Sequence, residues 1–122
     1  MAFSMDDYGN MTLVQGDTVS LAISGLDTTQ NYTVYFAIQD SDRNPIGTEI
    51  SVSANYSDSV VFEITSELTD LLEVDADEES AEYTYGIKVC NDDGFEDTLL
   101  VGNSELGDVN TITVYPKKVE GV

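Results

Sequence analysis

The clearest alternation of apolar and polar positions lies between Glu82 and Gly102. The apolar side chains at positions 83, 85, 87 and 89 are separated by Thr84, Gly86 and Lys88. A period of two places successive side chains on opposite faces of an extended chain. The segment is therefore predicted to be a strand with one buried face.

The turn after this strand fixes how it pairs with the next one. A two-residue loop at 93–94 would place Ile87 opposite Leu100 and Val89 opposite Thr98. A three-residue loop at 92–94 instead places positions 85, 87 and 89 opposite Val101, Leu99 and Asp97. We favour the three-residue loop, because it buries more apolar side chains on one face. It also puts Gly94 where such a hairpin needs a left-handed residue.

The same alternation recurs along the chain and predicts six more strands. Their apolar sets include Val19, Leu21 and Ile23 in one strand and Val60, Phe62 and Ile64 in another. The strand over 11–14 is expected to lie at a sheet edge. The predicted strands are Met11–Val14, Thr18–Ser24, Tyr32–Gln39, Ile46–Ser53, Ser59–Thr65 and Val109–Tyr115.

Residues 66–74 break the alternation. Leu68, Leu71 and Leu72 follow helical spacing, Ser66 is the expected N-cap, and Glu67 falls in the first turn. An acidic residue there is favourable at a helix N-terminus. One or two helical turns are therefore predicted, with the leucines packed under the rim of the sheets.

Short strands at intervals of about 8–12 residues, joined by turns, favour an all-β fold. The connections are too short for the crossovers that parallel strands need. The prediction is an antiparallel β-sandwich, Ig-like or jelly-roll-like, with one short helical turn near 66–74. We divide the chain into a flexible N-terminal arm (1–10), one sandwich domain (11–118) and a C-terminal tail (119–122).

The charge balance narrows the function. The chain of 122 residues has 24 acidic residues, four basic residues, no His and a formal net charge of −20. Such a field repels nucleic acid and anionic lipid, and the lack of His excludes the His-based versions of acid–base and metal chemistry. The charge fits a solubilising coat, cation binding, docking on a basic partner, or DNA mimicry. We expect no nucleic-acid partner.

The N-terminus and the lengths of the apolar runs predict where in the cell the protein is made. The N-terminus has no basic region followed by an apolar stretch, as a secretion signal would have. No run approaches the roughly 18 apolar residues of a membrane span. We therefore expect a protein made in a bacterial cytoplasm without a signal peptide, and without a membrane partner.

Candidate ligand sites are present but do not fit a known pattern. The acidic groups suggest calcium, yet their spacing is not that of an EF-hand loop. Exposed tyrosines suggest glycan stacking, and the lone Cys90 on a strand is expected to serve packing, since no His can activate it. We predict no enzyme, no cofactor, and no catalytic, cofactor-binding or metal residue. The residues weighed are Asp92, Asp93, Glu96 and Asp97; Asp75, Asp77, Glu78 and Glu79; and Tyr35, Tyr56 and Tyr115.

Three blocks follow one another along the chain: Gln15–Leu21, Phe62–Leu72 followed by Tyr83–Ile87, and Asp92–Gly94 followed by Thr98–Gly102. A Gly-Asp turn enters a strand, a leucine-rich turn precedes a Tyr-x-Tyr strand, and an Asp-Gly hairpin returns as Thr-Leu-x-x-Gly. In this order the blocks resemble small β-sandwich domains of tailed-phage virion proteins, such as the N-terminal domain of siphophage baseplate upper proteins.

The resemblance implies a non-enzymatic virion structural protein that acts by protein–protein contact. A baseplate, fibre-base or capsid-decoration module is expected. Its partners would be other virion proteins carrying a basic patch, and it would form a homo-oligomer in the virion. Two alternatives stay open: a glycan- or calcium-binding surface module, and an acidic DNA mimic that acts against the host.

Overall fold

The structure, a computed structural model, describes residues 3–99 and 110–117. These residues form nine strands and one short helix. In chain order the elements are β1 (Ser4–Met5), β2 (Met11–Val14), β3 (Val19–Ser24), β4 (Asn31–Gln39), β5 (Pro45–Asn55), β6 (Ser59–Ile64), α1 (Ser66–Asp70), β7 (Ala81–Asn91), β8 (Glu96–Leu99) and β9 (Asn110–Tyr115).

Seven strands form the large sheet: six lie in the order β1-β2-β9-β7-β4-β5, and β8 is the seventh, paired with β7. One edge of β7 pairs with β4, and the other edge is shared by β9 over 81–85 and β8 over 87–90. The pairs of this sheet are antiparallel except β2 with β9, which are parallel. The expected edge position of β2 is therefore wrong, since it lies between β1 and β9. No short crossover is needed, because β2 and β9 are separated by most of the chain.

The small sheet contains β3 and β6, with Leu21 opposite Phe62. It packs face to face on the large sheet, and the ring of Phe36 on β4 lies 5.7 Å from that of Phe62, centroid to centroid. The ring of Phe36 also packs against that of Tyr85 of β7, with a centroid-to-centroid distance of 5.4 Å. The predicted all-β sandwich is confirmed.

The apolar alternate positions of the predicted strands face the core. Burial of these side chains supplies the main driving force for bringing the two sheets together. Ala54, which was predicted to lie in a turn, is also buried at the end of β5. The largest fully buried apolar side chains are Phe36, Phe62, Met11, Leu13, Ile64, Leu72, Ile112, Val34 and Val114.

The helix is where expected, but its cap and its buried face differ from the prediction. Thr65, not Ser66, is the N-cap, and its hydroxyl accepts from the backbone N–H of Leu68 at 3.3 Å. Leu71 is 52% exposed, whereas Thr69 is fully buried. The Thr69 hydroxyl donates to the carbonyl of Asp17 at 2.7 Å. This bond turns Thr69 inward and leaves Leu71 at the surface.

One loop conformation occurs at three hairpins. In each loop of five residues, a side-chain oxygen of the first residue accepts hydrogen bonds from the backbone N–H groups of the third and fifth residues. The backbone N–H of the first residue donates to the carbonyl of the fifth. The fourth residue has a left-handed backbone. The first residues are Asp6, Asp40 and Asn91, and the left-handed ones are Gly9 (φ 83°), Arg43 (φ 67°) and Gly94 (φ 85°).

The third of these loops decides the register predicted for the hairpin. Ile87 lies opposite Leu99 and Val89 opposite Asp97, so the three-residue loop at 92–94 is confirmed. The predicted partner of Tyr85, Val101, lies outside the described residues, as does the expected strand start at Val109.

The segment expected to be an arm makes several contacts with the sandwich. Its β1 strand pairs with β2. The hydroxyl of Tyr85 donates to the carbonyl of Gly9 at 2.5 Å, and the amide of Asn110 donates to the carbonyl of Tyr8 at 2.9 Å. The boundaries of arm, domain and tail stay predictions, and residues 119–122 lie outside the described ranges.

Candidate functional site

A depression of about 520 Å³ lies on the outer face of the large sheet. At its centre Ala37 of β4 lies directly opposite Gly86 of β7. On the same face, Tyr35 pairs with Lys88 on one side of this pair. Ala37 and Gly86, the smallest of the lining residues, therefore form the floor of the depression between larger side chains. The lining residues are Tyr35, Ala37, Gln39, Glu49, Tyr85, Gly86, Ile87, Lys88, Cys90, Glu96 and Thr98.

An ion pair forms one wall of the depression. The Nζ of Lys88 lies 2.8 Å from the Oε1 of Glu96. Its hydrogen bond and charge raise the pKa of Lys88 and lower the pKa of Glu96. Both groups are therefore charged at neutral pH. Because the pair is solvent-exposed, its effect is on local charge more than on stability.

Cys90 lies beside this pair, on the outer face and not in the core. Its thiol donates to Glu96 Oε1 at 3.7 Å. Desolvation, and then the Glu96 charge, raise the pKa of Cys90. A raised pKa keeps the sulfur protonated at neutral pH, and the thiolate is the reactive form. The prediction that Cys90 is no nucleophile stays a prediction, and the environment of the sulfur is consistent with it.

Glu49 of β5 lines the depression from the β5 side. The depression is lined by Lys88 and Cys90 as well, and the charge of Glu49 adds to the larger effects of Glu96 on the pKa of Lys88 and of desolvation on the pKa of Cys90. The part of the chain that the structure describes forms the ion pairs Lys88–Glu96 and Lys117–Asp70, and Glu49 is in neither. With Lys88 balanced by Glu96, the depression has a net negative charge from Glu49.

The acidic groups weighed for calcium do not come together as a metal site. Within 3–99 and 110–117, no group of three or more His, Cys, Asp or Glu side chains is arranged to hold a metal ion. Asp75, Asp77, Glu78 and Glu79 are exposed in the loop before β7. At the hairpin tip, Glu96 faces Lys88 instead of the neighbouring carboxylates.

The three tyrosines weighed for glycan stacking lie on separate elements. Tyr35 is on β4 and lines the depression. Tyr56 follows β5 and is 59% exposed, and Tyr115 ends β9 and is 40% exposed. The latter two are not among the lining residues, so the three rings do not form one stacking surface in the depression.

The depression itself was missed by reasoning from sequence. The available signal was a pair of small residues, Ala37 and Gly86, at outward positions of two strongly alternating strands. A glycine in a strand interior often marks a bulge or the close approach of another molecule. What the sequence did not supply was the β4–β7 register that places the two residues side by side.

The fold is an Ig-like β-sandwich, and comparisons with known proteins show no more than that. No family model and no curated protein matches the chain. Among solved structures, the chain is similar to the periplasmic chaperone SfaE, with a TM-score of 0.57 and 11% sequence identity. The match covers 92% of this chain and 57% of that one, so this chain spans little more than half of its neighbour. In the described ranges, no helix is long and apolar enough to cross a membrane.

Proposed function

We propose that the chain is a non-enzymatic structural protein of a phage or prophage particle, acting by protein–protein contact as a baseplate, fibre-base or capsid-decoration module. The resemblance of three sequence blocks to virion sandwich domains supports the proposal. The observation that carries it is the unbalanced acidic surface. The described residues hold 21 of the chain's 24 Asp and Glu side chains, and two of these side chains form ion pairs.

The charge defines the kind of contact. A surface at −20 repels copies of itself and attracts proteins with a basic patch. Association with such a partner is accelerated at low ionic strength and weakened by added salt, because charges separated by more than about 10 Å are screened at 0.1 M. Copies of this chain would then be held together in the particle by basic neighbours placed between them.

The proposal is tested on whole particles. Prophages are induced in a strain that carries the gene, particles are purified on a density gradient, and the fractions are analysed by mass spectrometry. The chain should sediment with the portal and tail proteins in a fixed ratio to them. A wash in high salt should release it, whereas a sucrose wash of equal osmolarity should not.

Two results would overturn the proposal. Absence of the chain from particles that are complete by electron microscopy would remove the virion role. Recovery of the chain only in the cell-envelope fraction would favour a surface-binding module instead. If the chain stays on the particles after the high-salt wash, it is still a particle protein, but its contact there is not electrostatic.

A further inference from the structure

Gly86 occupies a position at which nothing in the described chain requires glycine. Its φ is not positive, so the backbone conformation is open to any L-residue. A Cβ added there would meet no heavy atom of the described residues within 4 Å. The pairing of β7 with β4 is regular on both sides of Gly86, and the register shift beside Ala37 lies on the other edge of β4, against β5. Glycine weakens a strand interior, so a reason for it is expected outside the chain.

Gly47, in contrast, is a position where the structure of the chain itself requires glycine. Its φ is +69°, and an added Cβ would lie 2.5 Å from the Cδ1 of Leu68 in α1. Both the backbone and the neighbouring helix therefore demand glycine at that position. Gly86 has neither constraint, and the space above it is the depression on the outer face of the large sheet.

The chemistry of the walls indicates what enters this space. The floor of Ala37 and Gly86 accepts a thin apolar chain, and Tyr35 offers an aromatic ring. Glu49 supplies a carboxylate that is in neither of the two ion pairs of the described residues. Lys88 does not neutralise Glu49, because its Nζ is held by Glu96 at 2.8 Å. An aliphatic stem that ends in a planar cation complements all three groups.

We propose that this depression receives an arginine side chain of a basic partner protein, with its stem over Gly86 and Ala37 and its guanidinium beside Glu49 and Tyr35. Guanidinium binds carboxylate in a bidentate manner and is attracted to aromatic rings, which an ammonium group matches less well. A second copy of this chain is a poor occupant, because two surfaces at −20 repel each other. The inference rests on the protein-contact function proposed above and names its contact point.

The test uses the full chain, labelled with nitrogen-15, and three small probes observed by NMR. N-acetyl-arginine amide is the probe, N-acetyl-citrulline amide is its uncharged isostere, and N-acetyl-lysine amide is the competing cation. We expect saturable shifts of the amide signals of Ala37, Gly86 and Lys88 with arginine at millimolar concentrations. Citrulline should give no saturable shift, and lysine should bind more weakly.

Three variants separate this site from general charge attraction. Gly86→Val fills the depression with a residue that suits an exposed strand position, so binding should be lost while the melting temperature does not fall. Glu49→Gln should weaken arginine binding by up to about fivefold, the upper end of the range for an exposed ion pair. Glu63→Gln makes the same charge change on the outer face of β6, and it should leave binding unchanged.

The proposal is overturned if arginine causes no saturable shift, or if citrulline binds as tightly. It is also overturned if shifts spread over the acidic surface and persist in Gly86→Val. None of these results bears on whether the chain sediments with particles. The failure of this contact point is therefore distinguishable from the failure of the proposed function.

Discussion

Arg43 should be a poorer residue than glycine at its own position. It is the left-handed residue of the loop at 40–44, with φ 67°, where the two sister loops have Gly9 and Gly94. An L-residue in this region costs about 1–2 kcal/mol, because Cβ approaches the following carbonyl. Against this, a new glycine gives the unfolded chain entropy worth about 0.4–1 kcal/mol. Arg43→Gly should therefore stabilise the protein by about 0.5–1 kcal/mol.

The side chain of Arg43 contributes little that would obscure this effect. It is exposed, and the two ion pairs of the described residues do not include it. Arg43→Ala is the matched control, because it removes the same side chain and charge but keeps the Cβ that causes the strain. The free energy of unfolding should therefore be higher for the glycine variant than for the alanine variant. Gly94→Ala should give the opposite sign, with a loss of similar size.

Urea unfolding followed by circular dichroism measures these differences, provided that the slope against urea stays constant. A gain of about 0.5–1 kcal/mol corresponds to a rise of roughly 2–4 °C in melting temperature for a domain of this size. If Arg43→Gly is less stable than Arg43→Ala, left-handed strain is not the controlling term in this loop. The inference that the fourth position favours glycine in all three loops would then be wrong.

Four further outcomes follow from single groups. Thr69→Val should cost about 1–2 kcal/mol in urea unfolding, because it removes the buried hydroxyl that donates to the carbonyl of Asp17; a cost near zero would contradict that role. Tyr85→Phe should cost about 1 kcal/mol by losing the bond to Gly9. It should also abolish a tyrosine titration near pH 12 in ultraviolet absorbance, since burial raises the pKa of Tyr85 to about 12. Hydrogen bonds from the loop backbone lower the pKa of Asp40 from its usual 3.8, so its contribution is present above that value and is lost as pH falls through the lower folded pKa. The stability difference between the wild type and Asp40→Asn should therefore change only in that acidic window, and a constant difference in melting temperature from pH 2 to 5 would refute it. Finally, about 0.3 M NaCl should raise the melting temperature above that in low salt, because screening relieves repulsion among the carboxylates; a fall would show that local ion pairs dominate.

The longer strands were predictable because they bury one face, whereas the two-residue β1, exposed at both positions, has no such pattern. In β3 the apolar residues Val19, Leu21 and Ile23 are buried and the residues between them are exposed. A shift of one residue would turn this whole set to solvent, so the pattern and the fold require the same register. The hairpin at 92–94 was predictable for a second local reason, since its loop needs a left-handed residue and Gly94 supplies it.

Neighbour relations between strands were not predictable in the same way. The alternation of apolar and polar residues predicts which face of a strand is buried. It does not predict which other strand pairs with it. The parallel pairing of β2 with β9 joins Leu13 to Val114 across about a hundred positions. The register between β4 and β7 that sets Ala37 beside Gly86 is likewise long-range. The depression therefore follows from tertiary pairing and has only a faint signal in the sequence.

The helix shows how two equivalent local signals are decided by tertiary contacts. Thr65 and Ser66 are both good N-cap residues. Thr65 has the extended backbone of the preceding strand (ψ 159°), so it becomes the cap and Ser66 the first helical residue. The bond from Thr69 to the Asp17 turn then fixes which face of this short helix is buried. Leucine spacing alone had favoured a face that includes Leu71.

The acidic composition has two separate origins, and only one concerns a partner. Part of it shapes the chain, because the side chains that accept loop N–H groups or hold the two ion pairs already have intramolecular tasks; these are Asp6, Asp27, Asp40, Asp70 and Glu96. Removing any of these carboxylates would disturb an intramolecular contact as well as the surface charge. Glu49 and Glu63 are strand residues in neither ion pair of the described residues, so their charge can be altered with less effect on the fold. A partner contact is therefore best identified by neutralising carboxylates of the second kind, and the difference between Glu49 and Glu63 then shows which face of the sandwich the partner meets.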